Sequence, residues 1–238
     1  PFMQLAVLMT NTDESEFAQR HPKDGEKFAD LVHLVRPEWQ VTSFSVKDDV
    51  FPDDIDAFDG VMITGSPASV HDTDPWVARL LDLIREIYAA RIPMFGACYG
   101  HQAIALALGG TVEANPAGWV FGVAHSEVCK QVAWMSQLPS PFAQYAAHVE
   151  AVTGLPDGAE ILSVSEACAI TGFHIENKVF TTQNHPEMSH AFMSALIEEY
   201  APKLPVGVGD AARASMLVKA DTQTYGQSIA RFFETHKT

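Results

Sequence analysis

The chain has 238 residues, 47% of them hydrophobic and 19% charged, and its 15 Lys and Arg against 30 Asp and Glu give a formal net charge of −15. That composition excludes a disordered chain, a collagen-like repeat and a small disulfide scaffold. An acidic surface repels phosphate backbones and anionic lipid, so no nucleic-acid or membrane partner is expected, and solubility is the simplest meaning of the charge.

The run from Pro1 to Met9 is apolar but short, with no basic leader and no small-residue cleavage site. It reads as a first strand, Phe2 to Met9, and not as a signal peptide. Gly25 to Val35 predicts a helix with Phe28, Leu31, Val32 and Val35 on one face. Val41 to Val46 is a second strand, and Val61 to Thr64 a short buried one that ends in Gly65-Ser66-Pro67. Asp74 and Pro75 then suit the N-cap and first position of a helix. Its apolar face is Trp76, Leu80, Leu83, Ile84, Ile87 and Tyr88, with Arg79, Asp82, Arg85 and Glu86 mostly opposite.

Ile92 to Ala97 is a further buried strand, and Ile104 to Leu108 is helical up to Gly109-Gly110. From Thr111 to about Gly172, prolines and glycines punctuate short strands. This stretch reads as an antiparallel extension or as loops over the sheet. Val179 to Gln183 resumes a strand, and after Pro186 the pattern is helical to the end, with a break near residues 202–209. Apolar runs alternating with helices predict an α/β protein with a parallel sheet. No linker or internal repeat divides residues 1–238, so one domain is expected.

No apolar run approaches the ~20 residues of a membrane span. The three cysteines, Cys98, Cys129 and Cys168, are odd in number and form no C-x-x-C pair. That speaks against a disulfide framework and a structural zinc site, and for a reducing, cytoplasmic setting.

One cysteine stands apart. In Gly96-Ala97-Cys98-Tyr99-Gly100 it sits where a buried strand turns into a helix, with a glycine two residues away on each side. Such a strained turn projects a nucleophile from the C-terminal edge of the sheet, and side chains at the flanking positions would clash. The cysteine faces the helix N-terminus and its partial positive charge. A small buried core cysteine is the bland alternative.

A sulfur nucleophile needs a base that later serves as acid. His101 is too close in sequence and lies on the helix after the turn. His185 follows the Val179–Gln183 strand, so it too reaches a strand's C-terminal end. Glu187, two residues on, is placed to hold its other ring nitrogen, which gives a Cys-His-Glu triad. Gly65-Ser66 follows a strand as well, so its N–H groups can reach the same edge, and the Tyr99 N–H is the natural second donor to an oxyanion.

These residues resemble the class I glutamine amidotransferase family. Gly96-Ala97-Cys98-Tyr99-Gly100-His101-Gln102 is similar to its nucleophile segment, Asn184-His185-Pro186-Glu187 to its His-Pro-Glu segment, and Ile63-Thr64-Gly65-Ser66-Pro67 to its oxyanion strand. His148-Val149-Glu150-Ala151-Val152, Leu155-Pro156 and Ala159 to Ser165 resemble the stretch before the last motif. The similarity spans roughly Phe58 to Met188, in the family's order and spacing.

The resemblance implies a flavodoxin-like three-layer sandwich. It has a mostly parallel central sheet with helices on both faces and a small antiparallel extension. It implies Cys98 as nucleophile, His185 as general base and acid, and Glu187 as its orienting partner. Gly65 and Tyr99 would form the oxyanion hole, and Gln102, Ser66, His148 and Asn184 would contact substrate. The expected reaction releases ammonia from glutamine through a γ-glutamyl thioester, without metal or cofactor.

Departures lie in the substrate loops. Asn184 stands where the family often has an aromatic or small residue, Glu150 where it has aspartate, and a family glutamate is replaced near Ala117. The tail after Glu187 is short for a synthetase domain, so an amidotransferase would pass ammonia to a separate synthetase subunit. Ala117 to Val123 is similar to a segment of γ-glutamyl peptidases in the same superfamily, which makes a free-standing hydrolase of γ-glutamyl peptides or conjugates the alternative. A non-catalytic binding domain that keeps the fold is the third reading.

Overall fold

A computed structural model describes residues 2–235; Pro1 and residues 236–238, the last of the stretch expected to be helical, lie outside the described residues. The strands are β1 (Gln4–Leu8), β2 (Gln40–Phe44), β3 (Gly60–Ile63), β4 (Met94–Ala97), β5 (Thr111–Ala114), β6 (Val120–Val128), β7 (Phe142–His148), β8 (Glu150–Gly154), β9 (Glu160–Val164), β10 (Gly172–Ile175) and β11 (Val179–Thr182). The helices are α1 (Glu16–Gln19), α2 (Asp24–Val35), α3 (Pro75–Ala89), α4 (Tyr99–Ala107), α5 (His190–Tyr200), α6 (Val208–Ser215) and α7 (Thr222–Thr235).

Nine strands form one sheet in the order β2-β1-β3-β4-β11-β10-β9-β6-β7. The first five run parallel, and from β11 onward each pairing is antiparallel. The antiparallel extension is therefore four strands wide, and β5 and β8 form a separate ribbon. Alternation along the strands builds two cores. Ala6, Leu8, Val61, Ile63, Met94 and Val179 pack with α3 and α4 on one face, while Leu5, Val7, Met62, Phe95 and Phe180 pack with α2 and α7 on the other. A period of two places successive side chains on opposite faces, so the sheet is covered on both sides. The result is a three-layer α/β fold.

Three local expectations shift. Val46 leaves the β2 strand for a buried 3-10 turn. Asp74 occupies the N-cap of α3, but its side chain makes no capping hydrogen bond. Helix α4 starts at Tyr99, immediately after the cysteine, and runs through the stretch read from Ile104. Among the described residues, no helix is long and apolar enough to cross a membrane.

Parallel strands share one C-terminal edge. β1, β3, β4 and β11 therefore deliver the segments after Leu8, Ile63, Ala97 and Thr182 to the same end of the sheet, where open α/β sheets place their ligands. The β4–α4 junction is packed without slack. A Cβ at Gly96 would lie 2.6 Å from the Gly100 carbonyl carbon and oxygen, and one at Gly100 would collide with the Ile63 carbonyl. Gly100→Ala is expected to cost about 1–3 kcal/mol, as overpacked sites do, measured as a lowered urea midpoint. A wild-type midpoint would show that β3 yields at this point.

Candidate active site

Cys98 ends β4 with φ 53° and ψ −107°, a left-handed backbone that non-glycine residues rarely adopt. Its own N–H donates to the Thr182 carbonyl on β11 at 2.9 Å, and the Gly100 N–H donates to the Thr64 carbonyl after β3 at 3.1 Å. The turn is thus held from both neighbouring strands. Tyr99 opens α4, so its N–H lies in the first turn and has no intrahelical acceptor.

His185 sits in the loop after β11, anchored by its N–H to the Tyr145 carbonyl of β7 at 2.8 Å. Its Nδ1 is 3.0 Å from Glu187 Oε2, and both side chains are buried. A Cβ at Gly65 would lie 2.7 Å from His185 Cε1 and 3.3 Å from the Cys98 Cβ, so the Gly65 backbone abuts both groups. Burial alone would push the imidazole down. The charge of Glu187 and then the Cys98 sulfur outweigh it, and His185 is held well above 6.5. Glu187 is raised by burial, but the His185 charge and hydrogen bond prevail and hold it below 4.5. Cys98, His185 and Glu187 line one cavity of about 320 Å³.

The predicted substrate contacts divide. Gln102, Ser66 and His148 line this cavity. Ser66 Oγ is already occupied as a turn acceptor for the Ala68 N–H at 3.1 Å. Gln102 donates its amide nitrogen to the Glu150 carbonyl at 3.0 Å and to Gln183 Oε1 at 3.1 Å, which leaves its carbonyl oxygen for a ligand. His148 donates Nδ1–H to the Glu150 carbonyl at 2.9 Å, and burial pushes its pKa down to about 4. Its Nε2 is therefore an unprotonated acceptor at neutral pH. Asn184 does not line the cavity; it is buried, with neither amide atom hydrogen-bonded. The loop turns between Thr182 and His185, and the Asn184 N–H bonds back to Thr182 Oγ1 at 3.2 Å. His101 is buried away from the reaction, bonded through Nδ1 to Thr181 Oγ1 at 2.7 Å and pushed down to about 3 by burial.

Two features escaped the sequence reading. Gln183 donates its amide to Cys98 Sγ at 3.6 Å and so joins Gln102 to the sulfur. The available signal was a polar residue closing an apolar strand beside the histidine. On α2, Asp24 and Lys27 also line the cavity. Asp24 is raised by burial and by the charge of Glu187, while Lys27 is lowered by burial against the pull of Asp24 and Glu187.

The family model for class-I glutamine amidotransferases matches residues 31–199. Gamma-glutamyl peptidase 4 of Arabidopsis thaliana is 24% identical over 237 residues, covering 95% of this chain and 94% of that protein. A glutamine-hydrolyzing GMP synthase of Caldicellulosiruptor saccharolyticus is 34% identical over 132 residues, covering 55% of this chain and 25% of the synthase. Among solved structures, a glutamine amidotransferase from Thermotoga maritima superposes with a TM-score of 0.77 at 19% identity, covering 97% of this chain and 98% of that one. At that identity the likeness concerns the fold.

The His185–Glu187 pair makes stability depend on pH in a defined sense. A carboxylate held below 4.5 contributes stability above that value, which is lost as pH falls through its folded pKa. A histidine held above 6.5 contributes stability below 6.5, which is lost as pH rises through its folded pKa. The destabilisation by Glu187→Gln should therefore be largest between pH 4.5 and 6.5 and shrink on either side. Denaturant melts of both proteins across pH test this, and a constant difference would mean that the pair is not ionised as described.

Proposed function

The chain belongs to the class I glutamine amidotransferase family, and from that premise we propose that it hydrolyses a γ-glutamyl C–N bond through a thioester on Cys98. One observation carries the reading: a cysteine in a left-handed backbone at the β4–α4 turn, in one cavity with a buried His185–Glu187 pair 3.0 Å apart. A strained nucleophile, an oriented imidazole and nearby backbone donors are the parts that acyl transfer needs.

The Cys98 Sγ–H proton passes to His185 as Sγ attacks the side-chain carbonyl carbon of the γ-glutamyl group. A C–S bond forms, and the carbonyl oxygen takes the electron pair as an oxyanion facing the Gly65 and Tyr99 N–H groups. When the tetrahedral centre collapses, the C–N bond breaks and His185 gives a proton to the departing nitrogen. Its raised pKa supports the acid role, and Glu187 fixes which ring nitrogen faces the substrate. His185 then takes a proton from water, whose oxygen attacks the thioester; the C–S bond breaks, the proton returns from His185 to the sulfur, and glutamate and free Cys98 are released. Gln183, 3.6 Å from Sγ, steadies the sulfur in this scheme. The His148 Nε2 acceptor and the Gln102 carbonyl are suited to the α-ammonium of the γ-glutamyl group, and Ser66 shapes the turn beside it.

γ-Glutamyl peptides or conjugates are the favoured substrates. The peptidase relative aligns over nearly its whole length, whereas the GMP synthase aligns over a quarter of its own. The second reading is glutamine hydrolysis with ammonia passed to a separate synthetase subunit, and the 34% identity to the synthase segment favours it.

Purified protein is to be assayed for product release from L-glutamine and a panel of γ-glutamyl peptides. Cys98→Ala should lower turnover by at least about 10⁴-fold, His185→Ala by a comparable factor and Glu187→Gln by less, because orientation contributes less than the nucleophile. Cys129→Ser and Cys168→Ser should retain activity. Peptide turnover with little glutaminase supports the first reading. Glutamine turnover, or slow accumulation of a γ-glutamyl adduct on Cys98 from glutamine without peptide turnover, supports the second. Full activity in Cys98→Ala would refute the mechanism.

A further inference from the structure

The cavity at Cys98 extends past every group that the reaction uses. One flank is polar, with Gln102, His148 and Glu150 joined by hydrogen bonds. The other is an aromatic wall. The Phe17 ring centroid lies 4.6 Å from that of His21, 5.8 Å from Phe192 and 6.4 Å from Tyr200, and His21 lies 5.0 Å from Phe192. All four rings line the same cavity as Cys98. The wall is braced: the Tyr200 hydroxyl donates to Asp13 Oδ2 at 3.0 Å, and the Phe192 N–H donates to the Ser189 N-cap at 3.0 Å. Lys27 Nζ stands 3.2 Å from the Phe192 ring centroid and 3.8 Å from Asp24 Oδ1.

Chemistry decides which half of a substrate meets which flank. The γ-glutamyl half carries an α-ammonium, which needs acceptors; the polar flank supplies them in the Gln102 carbonyl and His148 Nε2, and ring faces do not. The other half departs with a proton from His185, whose neighbours Glu187 and Met188 lead into α5 and Phe192. Ammonia would leave the aromatic wall unfilled. A ring-bearing amine would bury its face against Phe17 and Phe192, and the Lys27 ammonium stands beside Phe192 to meet a carboxylate on that amine.

Building on the γ-glutamyl hydrolysis proposed above, we infer that the Phe17–His21–Phe192–Tyr200 wall is the leaving-group subsite, and that the preferred substrates are γ-glutamyl conjugates of aromatic amino acids. The wall selects among substrates and takes no part in bond breaking.

The test compares kcat/KM for γ-Glu-Phe, γ-Glu-Gly and glutamine in the wild type, Phe192→Leu and Phe192→Ala. The wild type should favour γ-Glu-Phe over γ-Glu-Gly by about tenfold or more, the scale of one well-filled apolar pocket. Phe192→Ala should reduce that ratio by about tenfold, with Phe192→Leu in between. Because the ratio is internal to each protein, a general loss of activity does not mimic the effect. If Phe192→Ala fails to fold, the wild-type preference and the Phe192→Leu ratio decide. Equal rates on the two peptides, or a ratio unmoved in the variants, would overturn the inference while leaving γ-glutamyl hydrolysis intact. No release from any of the three compounds would overturn the underlying reading, and this inference with it.

Discussion

The left-handed backbone at Cys98 is the constraint on which the rest of the site depends. A non-glycine residue in that region costs of order 1–3 kcal/mol and persists only where its surroundings over-determine it. Here the surroundings are the two strands flanking β4. The Thr182 carbonyl holds the Cys98 N–H from one side, and the Thr64 carbonyl holds the Gly100 N–H from the other. Those same strands continue into Gly65 and into the His185 loop. The pairings that hold the strained turn therefore also set the positions of Gly65 and His185 beside it.

A second constraint is electrostatic. His185, Glu187, Asp24 and Lys27 place ionisable groups together in a chain of net charge −15. Buried charges persist only when paired. Glu187 faces His185 on one oxygen, while its Oε1 has no hydrogen-bond partner among the described residues. The positive charge of Lys27 helps to hold that carboxylate ionised, and Asp24, steadied by the Asn11 amide at 3.0 Å, offsets Lys27 in turn. The polar face of α2 is thus turned toward the cavity, which explains why its charges shift in opposite directions.

Local pattern was the part of this molecule most legible in sequence. The Phe28, Leu31, Val32 and Val35 face of α2 and the apolar face of α3 emerge as buried, apart from half-buried Tyr88 at the end of α3, because a 3.6-residue period reports a helix's own burial. The two glycines around Cys98 announced the turn, because only a close backbone approach excludes a Cβ on both sides of it. The order of the antiparallel strands was not legible. β6 lies between β7 and β9, and β9 leads to β10, through pairings set by packing of distant segments. Gln183 was missed for a related reason: its contact with Cys98 spans 85 residues and leaves no local pattern. Asp24 and Lys27 carry no signal in sequence, since a polar helix face looks the same whether it meets water or a lined cavity. Asn184 drew attention as a departure in a substrate loop, yet the turn of that loop leaves it buried outside the cavity.

The division between legible and illegible follows the division of labour in the cavity. Residues that resemble the family's motifs run from about Phe58 to Met188 and sit on or beside the ends of β3, β4, β7 and β11. On the function proposed above they supply the chemistry that any γ-glutamyl substrate requires, and the strand ends fix their spacing. Phe17, His21, Phe192 and Tyr200 fall outside that span, in and after α1 and on α5. On the inference drawn above they would face the part of the substrate that varies, and their rings meet across the cavity from distant parts of the chain. On that proposal, a change in the wall alters which amine fits while the strand ends keep the Cys98 turn and the His185–Glu187 pair in place. The proposed reactivity therefore rests on strand ends of the sheet, and the proposed selectivity on α1, α5 and the residues just after α1.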